Sequence, residues 1–475
     1  ITLNKTNNLI SITTGTLITG ASYWTGLTDN TWNVGANNWS TDKAGTTPAS
    51  SIPGQGTDVV FVANSHAGGA LVTTLEQNFK VNSLTFEAST STPSSVTINP
   101  GAITTSRLEV APQVATDGIR ITAGGPAAVT IATALRLGAS QTWNVADAAS
   151  ILTVSGSLLG EADVVKTGAG KVTLSAIADP TFNTGLTTDV TINAGILEIT
   201  NAGALGTLAS SNPANVTING GAFYYNNAVA GTVVNALTLS GGTLSAGGAT
   251  QTYSGTVDVS GNSFINMRDN NSAVTSTAAR SITLTGVLSG SGSLTVDSVD
   301  TLTAGNAETG TVTINGLANT WTGELAFQRG TVVFTSNPIT DVNAGHTGAL
   351  TFNQFGRVIY RNLNGETLNR TGALTFAAGS IGELSVDNIS AVLGADYVIN
   401  QNGLVTLGSG GTGATARFNL ADAASQLNLT GGVVLGGNSS ISVEGGDADS
   451  IVTVSSVISD GGSGYSLAVN DDAGA

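Results

Sequence analysis

The chain has 475 residues, 40% of them hydrophobic and only 10% charged, with a formal net charge of −16. That apolar content excludes an unstructured chain, and 15 Lys and Arg in all leave no basic stripe to hold a nucleic acid. The lack of cysteine excludes a disulfide framework and thiolate metal sites. No run of 18 apolar residues is present to suggest a membrane span.

The first 60 residues differ from the rest. ITLNKTNNLISITTGTLITG has β character through Leu3, Leu9, Ile10, Ile12, Leu17 and Ile18. It is expected to pair with a neighbouring copy of the chain or, failing that, within its own cap, since open strand edges recruit partners. Trp24, Trp32 and Trp39 follow, three of the five tryptophans. Large rings where strands stop bury area, so they are read as the cap of a strand stack, the alternative being a sugar-stacking platform.

Beyond a turn-rich link around Pro48 and Pro53, short β runs continue to the end of the chain: DVVFV from Asp58, VNSLTF from Val81, SVTINPGAI from Ser95 and many more. No segment carries ten residues of helical periodicity. Three stretches are nearly identical: VTINAGILEIT from Val190, VTINGGAFYYN from Val216 and LTLSGGTLSAG from Leu237. Their spacing puts Val190, Val216 and Leu237 in one register, followed by Leu197, Phe223 and Leu244 in another. Alternation sends Phe223 and Tyr225 inward and Tyr224 outward. The two ALTF runs, from Ala349 and Ala373, make another such pair. Repetition at this period is the signature of a solenoid. The predicted fold is therefore all-β: a parallel β-helix over residues 61–475 with a Trp-rich cap over residues 1–60. With no cap visible before Ala475, the helix is expected to continue in a further carboxyl-terminal region.

VVKTGAGKVTLS from Val164 and FNTGLTTDVTINAGILEITNAGALG from Phe182 resemble the autotransporter-associated β-strand repeat. Lys166, Gly168, Gly170, Leu174, Gly185, Ile192, Asn193, Gly195, Leu197, Ala204, Leu205 and Gly206 carry the resemblance. A partial copy, NTWTGELAFQRGTVVF, starts at Asn319 and has Arg329 at a position that is usually small. The resemblance implies a right-handed parallel β-helix, secreted or displayed on the surface of a Gram-negative bacterium. It implies no single activity, because the repeat is a structural unit.

Candidate chemistry is sparse. His66 and His346 sit in Gly/Ala-rich stretches without a G-x-S-x-G elbow and are read as exposed turn residues. Asp297 with Asp300, Asp447 with Asp449, and Asp471 with Asp472 are the carboxylate pairs that a glycoside hydrolase would need. Each lies among Ser, Gly and Ala and is read as solvated turn residues. GGDADSIVTV from Gly445 and GGSGYSLAV from Gly461 are broken copies of a calcium-binding nonapeptide, and GSGGTG near Gly408 reads as a corner. No catalytic, cofactor-binding or metal residue is assigned. The expected function is non-enzymatic: an extracellular β-solenoid serving as an adhesin stalk or as a matrix or fibre protein. Its expected partners are copies of itself and cell-surface or matrix components. The alternatives are a self-assembling filament or surface-layer subunit, and a carbohydrate-active β-helix enzyme.

Overall fold

A computed structural model describes residues 2–6, 9–13, 20–34, 38–62, 69–88, 94–114, 117–183, 188–207, 212–248, 250–267, 280–298, 310–316, 318–335, 346–361, 367–387, 398–420, 425–445 and 451–471. Among these residues every regular element is a strand, as the period-2 patterning requires. The chain divides into two compact units, Ile1–Ala214 and Asn215–Ala475. The expected boundary near residue 60 falls inside the first.

In the first unit most strands form three sheets of parallel strands that the chain visits in rotation, the first of them carrying Trp39–Ser40 antiparallel to Gly20–Trp24. One runs from Gly20–Trp24 through Thr57–Phe61, Ser83–Phe86, Asp117–Ile121, Gln141–Val145 and Val164–Thr167 to Asp189–Ile192. A second stacks Phe79–Val81, Arg107–Val110, Ala134–Leu137 and Leu158–Gly160. The third stacks Ala70–Thr74, Ser95–Asn99, Ala128–Ile131, Ile151–Val154, Lys171–Leu174 and Ile196–Ile199. Pairing is in register, so like falls on like. Val96, Val129, Leu152, Val172 and Leu197 form one buried column, and Thr97, Thr130, Thr153 and Thr173 form the outward column beside it. Each buried aliphatic side chain is worth roughly 1.5–3 kcal/mol.

The opening segment pairs with itself. Thr2–Thr6 pairs antiparallel with Leu9–Thr13. Two five-residue runs separated by only two residues satisfy each other's backbone groups, and no pairing of this hairpin with the Trp-rich strands is seen among the described residues. Trp24, Trp32 and Trp39 are all buried. Trp39 meets Trp24 and Trp32 edge-on at 4.9 and 5.2 Å, and Trp32 also meets Phe79 at 5.3 Å. Their rings are packed into core, so they offer no sugar-stacking platform.

In the second unit Asn215–Ile218, Leu237–Leu239, Val257–Val259 and Leu288–Gly290 form one parallel sheet, with Val216 opposite Leu237 as expected. Phe223 lies opposite Leu244. Two neighbouring stacks then run together, because the 11-residue strand Leu325–Thr335 pairs with both Leu294–Asp297 and Thr311–Ile314. Leu350–Arg361 pairs along that strand, and the ALTF runs align as Leu350 to Leu374 and Phe352 to Phe376. Phe327, Phe352 and Phe376 stack face to face at 4.9 and 5.0 Å. A further sheet, Thr367–Arg370 to Val398–Gln401 to Gln426–Leu429 to Ile451–Val454, closes the unit's repertoire.

One orientation differs from the alternation rule, and one expected corner is present. Tyr224 is buried rather than outward-facing, like Phe223 and Tyr225 on either side. Its hydroxyl lies over Gly247 of the next strand, where a Cβ would stand 2.0 Å from the oxygen. The Ala-Gly-Gly end of Thr243–Gly248 makes room for a ring on the face that alternation assigns to solvent. The Gly408 corner is a tight reversal: Gly410 and Gly411 both have positive φ, and Ser409 and Thr412 exchange backbone hydrogen bonds of 2.9 and 3.0 Å.

Candidate functional site

Among the described residues, the titratable residues singled out above do not come together. His66, Asp300, Asp447, Asp449 and Asp472 lie outside the described residues, as does the side chain of Asp471. Asp297 is on a strand rather than in a turn and forms an ion pair with Arg329 at 3.3 Å. Just before the second nonapeptide-like stretch, Asp460 accepts the backbone N–H groups of Gly462, Gly464 and Tyr465 at 2.9, 2.6 and 3.0 Å. These bonds favour its ionised form and lower its pKa. The carboxylate organises its own turn. Among the described residues no three His, Asp or Glu side chains converge as metal ligands.

His346 is the main correction. Far from being an exposed turn residue, it is 4% exposed, stacked on Trp321 at 4.5 Å and on Phe334 at 5.8 Å. Its Nε2 hydrogen-bonds the carbonyl of Gly323 at 2.7 Å. Beside it lies Arg370, which is fully buried. Arg370 donates from Nη1 to the His346 carbonyl and to the Tyr360 hydroxyl, both at 2.5 Å, from Nη2 to Gly348 O at 2.8 Å, and from Nε to Gln401 Oε1 at 3.0 Å. The Gln401 amide donates in turn to Gly372 O and Gly403 O at 2.7 and 3.0 Å. Burial, reinforced by the Arg370 charge, pushes the His346 imidazole down to about 3. It is therefore neutral across the physiological range. Burial raises the Tyr360 phenol, against the pull of Arg370. The guanidinium is held by neutral acceptors, with no carboxylate among the partners described. Closed to solvent and hydrogen-bonded to backbone, this cluster has the make-up of a structural polar node.

A second buried cation sits in the first unit. Lys166, part of the K-x-G-x-G motif, is 1% exposed. Its Nζ donates to the carbonyls of Thr167, Gly168 and Ala194 at 2.7, 2.9 and 3.1 Å. Burial lowers its pKa to about 8. The glycines of the motif have steric causes: a Cβ on Gly168 would stand 2.2 Å from Val145 O, and one on Gly195 would stand 2.7 Å from the Lys166 amine. The motif is a carbonyl nest for an ammonium group, built where the chain turns a corner.

On the outer face of the second unit, Arg357, Glu383 and Arg417 are paired across three strands, as are Ser385, Asn419 and Glu444 two positions further on. Glu383 Oε1 forms an ion pair with Arg357, 2.8 Å from its Nε. Burial raises its pKa and the Glu444 charge adds to that, while Arg357 opposes both. This is the carboxylate pair that sequence spacing could not reveal, since 61 positions of numbering separate its members. Asn419 Nδ2 lies 3.5 Å from Glu383 Oε1 and 3.3 Å from Glu444 Oε2. Its amide fills the space that a glycosidic oxygen and its water would occupy in a hydrolase.

Comparison with protein-family models, with curated proteins and with solved structures finds no match to this chain.

Proposed function

We propose that the protein is a non-enzymatic, extracellular β-solenoid: a right-handed parallel β-helix, capped at its amino end by the Trp24–Trp32–Trp39 cluster, serving as an adhesin stalk or matrix fibre. The repeat-like motif around Lys166 and Gly168 favours membership of the autotransporter-associated repeat proteins, and with it display on a Gram-negative surface. The observation that carries the functional reading is the repetition of small polar side chains on outward faces. The column Thr97, Thr130, Thr153 and Thr173 is one case. The other is an amide ladder in which Asn428 donates to Asn400 at 3.0 Å and Asn400 donates to Asn369 at 2.8 Å. Such columns present one weak contact many times, which suits binding by multivalency to surfaces or to further copies of the chain.

The reading is tested by imaging the purified full chain by electron microscopy and by incubating it with surface polysaccharides. Rods or fibres that adhere without releasing reducing sugar are the expected outcome. Compact particles would refute the β-helix, and sugar release abolished by Glu383→Gln would establish the carbohydrate-active alternative. Ordered sheets or head-to-tail filaments would favour the surface-layer or filament form of the same structural role.

A further inference from the structure

In the first unit the four-stranded sheet ends at Leu158–Gly160. Among the described residues no further strand follows it; the Phe182–Gly160 bridge continues the stacking, with the N–H groups of Asp179 and Asn183 donating to the Leu158 and Gly160 carbonyls at 2.9 and 2.8 Å. The early end of the sheet leaves a groove of about 630 Å³ running across the strands. That volume lies within the range of small-ligand sites.

The lining of the groove is polar and charged. Lys80, Glu109 and Arg136 stand side by side on three adjacent strands, because the register pairs Glu109 with both cations. Lys80 Nζ contacts Glu109 Oε1 at 2.8 Å, and Arg136 reaches Glu109 Oε2 only through Nε, at 3.5 Å. Among the described residues Arg136 has no ion-pair partner besides Glu109, and its side chain is 40% exposed. Glu161 and Thr181 line the far end, and Gly138 and Gly160 contribute backbone to the wall. No aromatic ring takes part, which removes the stacking surface a neutral sugar or a nucleobase would use.

We infer that this groove binds a sugar acid: a pyranose carrying one carboxylate, either free or at the end of a uronate-containing glycan. The Arg136 fork matches a carboxylate with two parallel N–H···O bonds, and Lys80, on the far side of Glu109, offsets the charge of the Glu109 carboxylate. Ring hydroxyls fit the far end, where the Thr181 hydroxyl and the backbone of Gly138 and Gly160 line the wall. A carboxylate without hydroxyls would engage only the cationic end, and a neutral sugar would leave Arg136 unmatched. The net charge of −16 makes a short ligand a better fit than a long polyanion, which the rest of the surface would repel. The groove would add a specific site to a scaffold whose structural role does not require one.

The test is titration of the full chain with sodium glucuronate by calorimetry and by NMR, with glucose and acetate as partial ligands. Saturable glucuronate binding is expected with Kd on the order of 1 mM, with glucose and acetate each at least about tenfold weaker, the loss of one charge-assisted contact. Arg136→Gln should weaken glucuronate about tenfold or more at an unchanged melting temperature. Arg136→Lys, which keeps the charge without the fork, should fall between. Uronate oligomers separate the two sources: binding at one site per reducing or non-reducing end, lost in Arg136→Gln, assigns a glycan terminus, and binding of the monomer alone assigns the free acid. Absence of saturable binding by the wild-type chain, or equal affinity in Arg136→Gln, overturns the inference.

Discussion

Lys166 in the first unit and Arg370 in the second are both buried cations without a carboxylate partner among the residues described, and they are accommodated in opposite ways. Lys166 is held by three carbonyls, two of which belong to the next two residues of its own corner. Arg370 is held by His346, Gly348, Tyr360 and Gln401, gathered from separate strands and turns. An ammonium is compact and can be ringed by a single turn. A guanidinium presents five donors in a plane and needs acceptors from several directions. The first solution is local and leaves a motif; the second is tertiary and leaves none. A buried charge costs several kcal/mol unless its donors are satisfied, so both sites should be sensitive, but to different perturbations.

The largest effect is expected at the tertiary node. Arg370→Met removes the donor to the Gly348 carbonyl and the Gln401 amide oxygen and leaves the His346 carbonyl with the Tyr360 hydroxyl at 3.3 Å, and should cost about 3–5 kcal/mol. Hydrogen exchange along Thr367–Arg370 and Val398–Gln401 would read the loss in the second unit, and protection equal to wild type would remove the node from the stability of that unit.

Acid probes the same node through His346. Its pKa falls from 6.5 to about 3 on folding, so in that window the unfolded chain binds a proton that the folded chain does not. Its contribution is present above pH 6.5 and declines as the pH drops towards 3, amounting to about 3 kcal/mol by pH 4. Denaturant titrations of wild type and His346→Phe at pH 7 and pH 4 should show a smaller acid loss in the variant.

Base probes the local nest with the same sign. The Lys166 pKa falls from 10.5 to about 8 on folding. Stability linked to this residue therefore rises with pH between 8 and 10.5, by up to about 3 kcal/mol. The difference between wild type and Lys166→Met, measured at both ends of that window, isolates it from other groups. A difference that does not change with pH would mean that the amine keeps its proton, with the three carbonyls outweighing burial.

The smallest effect is expected at the corner itself. Gly195 has φ of 66°, and a Cβ there would lie 2.3 Å from Gly170 O. Gly195→Ala should cost about 1–3 kcal/mol in strain, and combining it with Lys166→Met should give less than the sum, because the two share one nest. Strict additivity would separate the glycine from the lysine site.

Much of the fold was legible because repetition and register are the same fact seen twice. The similarity of VTINGGAFYYN and LTLSGGTLSAG predicts Val216 opposite Leu237 and Phe223 opposite Leu244, and the ALTF runs predict Leu350 opposite Leu374; all three pairs occur. Alternation failed at Tyr224, where a glycine-rich neighbour opened room on the outer face. Composition misplaced His346, because Gly and Ala around a histidine suggest a turn without saying what packs over it. The Glu383–Glu444 pair, the Arg370 node and the Lys80–Glu109–Arg136 groove had no sequence signal, since their members meet only through stacking of distant strands.

The sequence by itself determined that the chain is built of strands, which residues share a column, and where a glycine must turn the corner beside Lys166. These follow from period-2 alternation, from repetition, and from the absence of a Cβ, all of which act within one repeat. Only the tertiary structure decided that the tryptophans pack against one another, that the opening segment folds on itself, that His346 is buried and neutral, and that Asn419 stands between two carboxylates. Each of those depends on contacts between residues tens of positions apart, and burial, desolvation and steric filling act through space rather than along the chain.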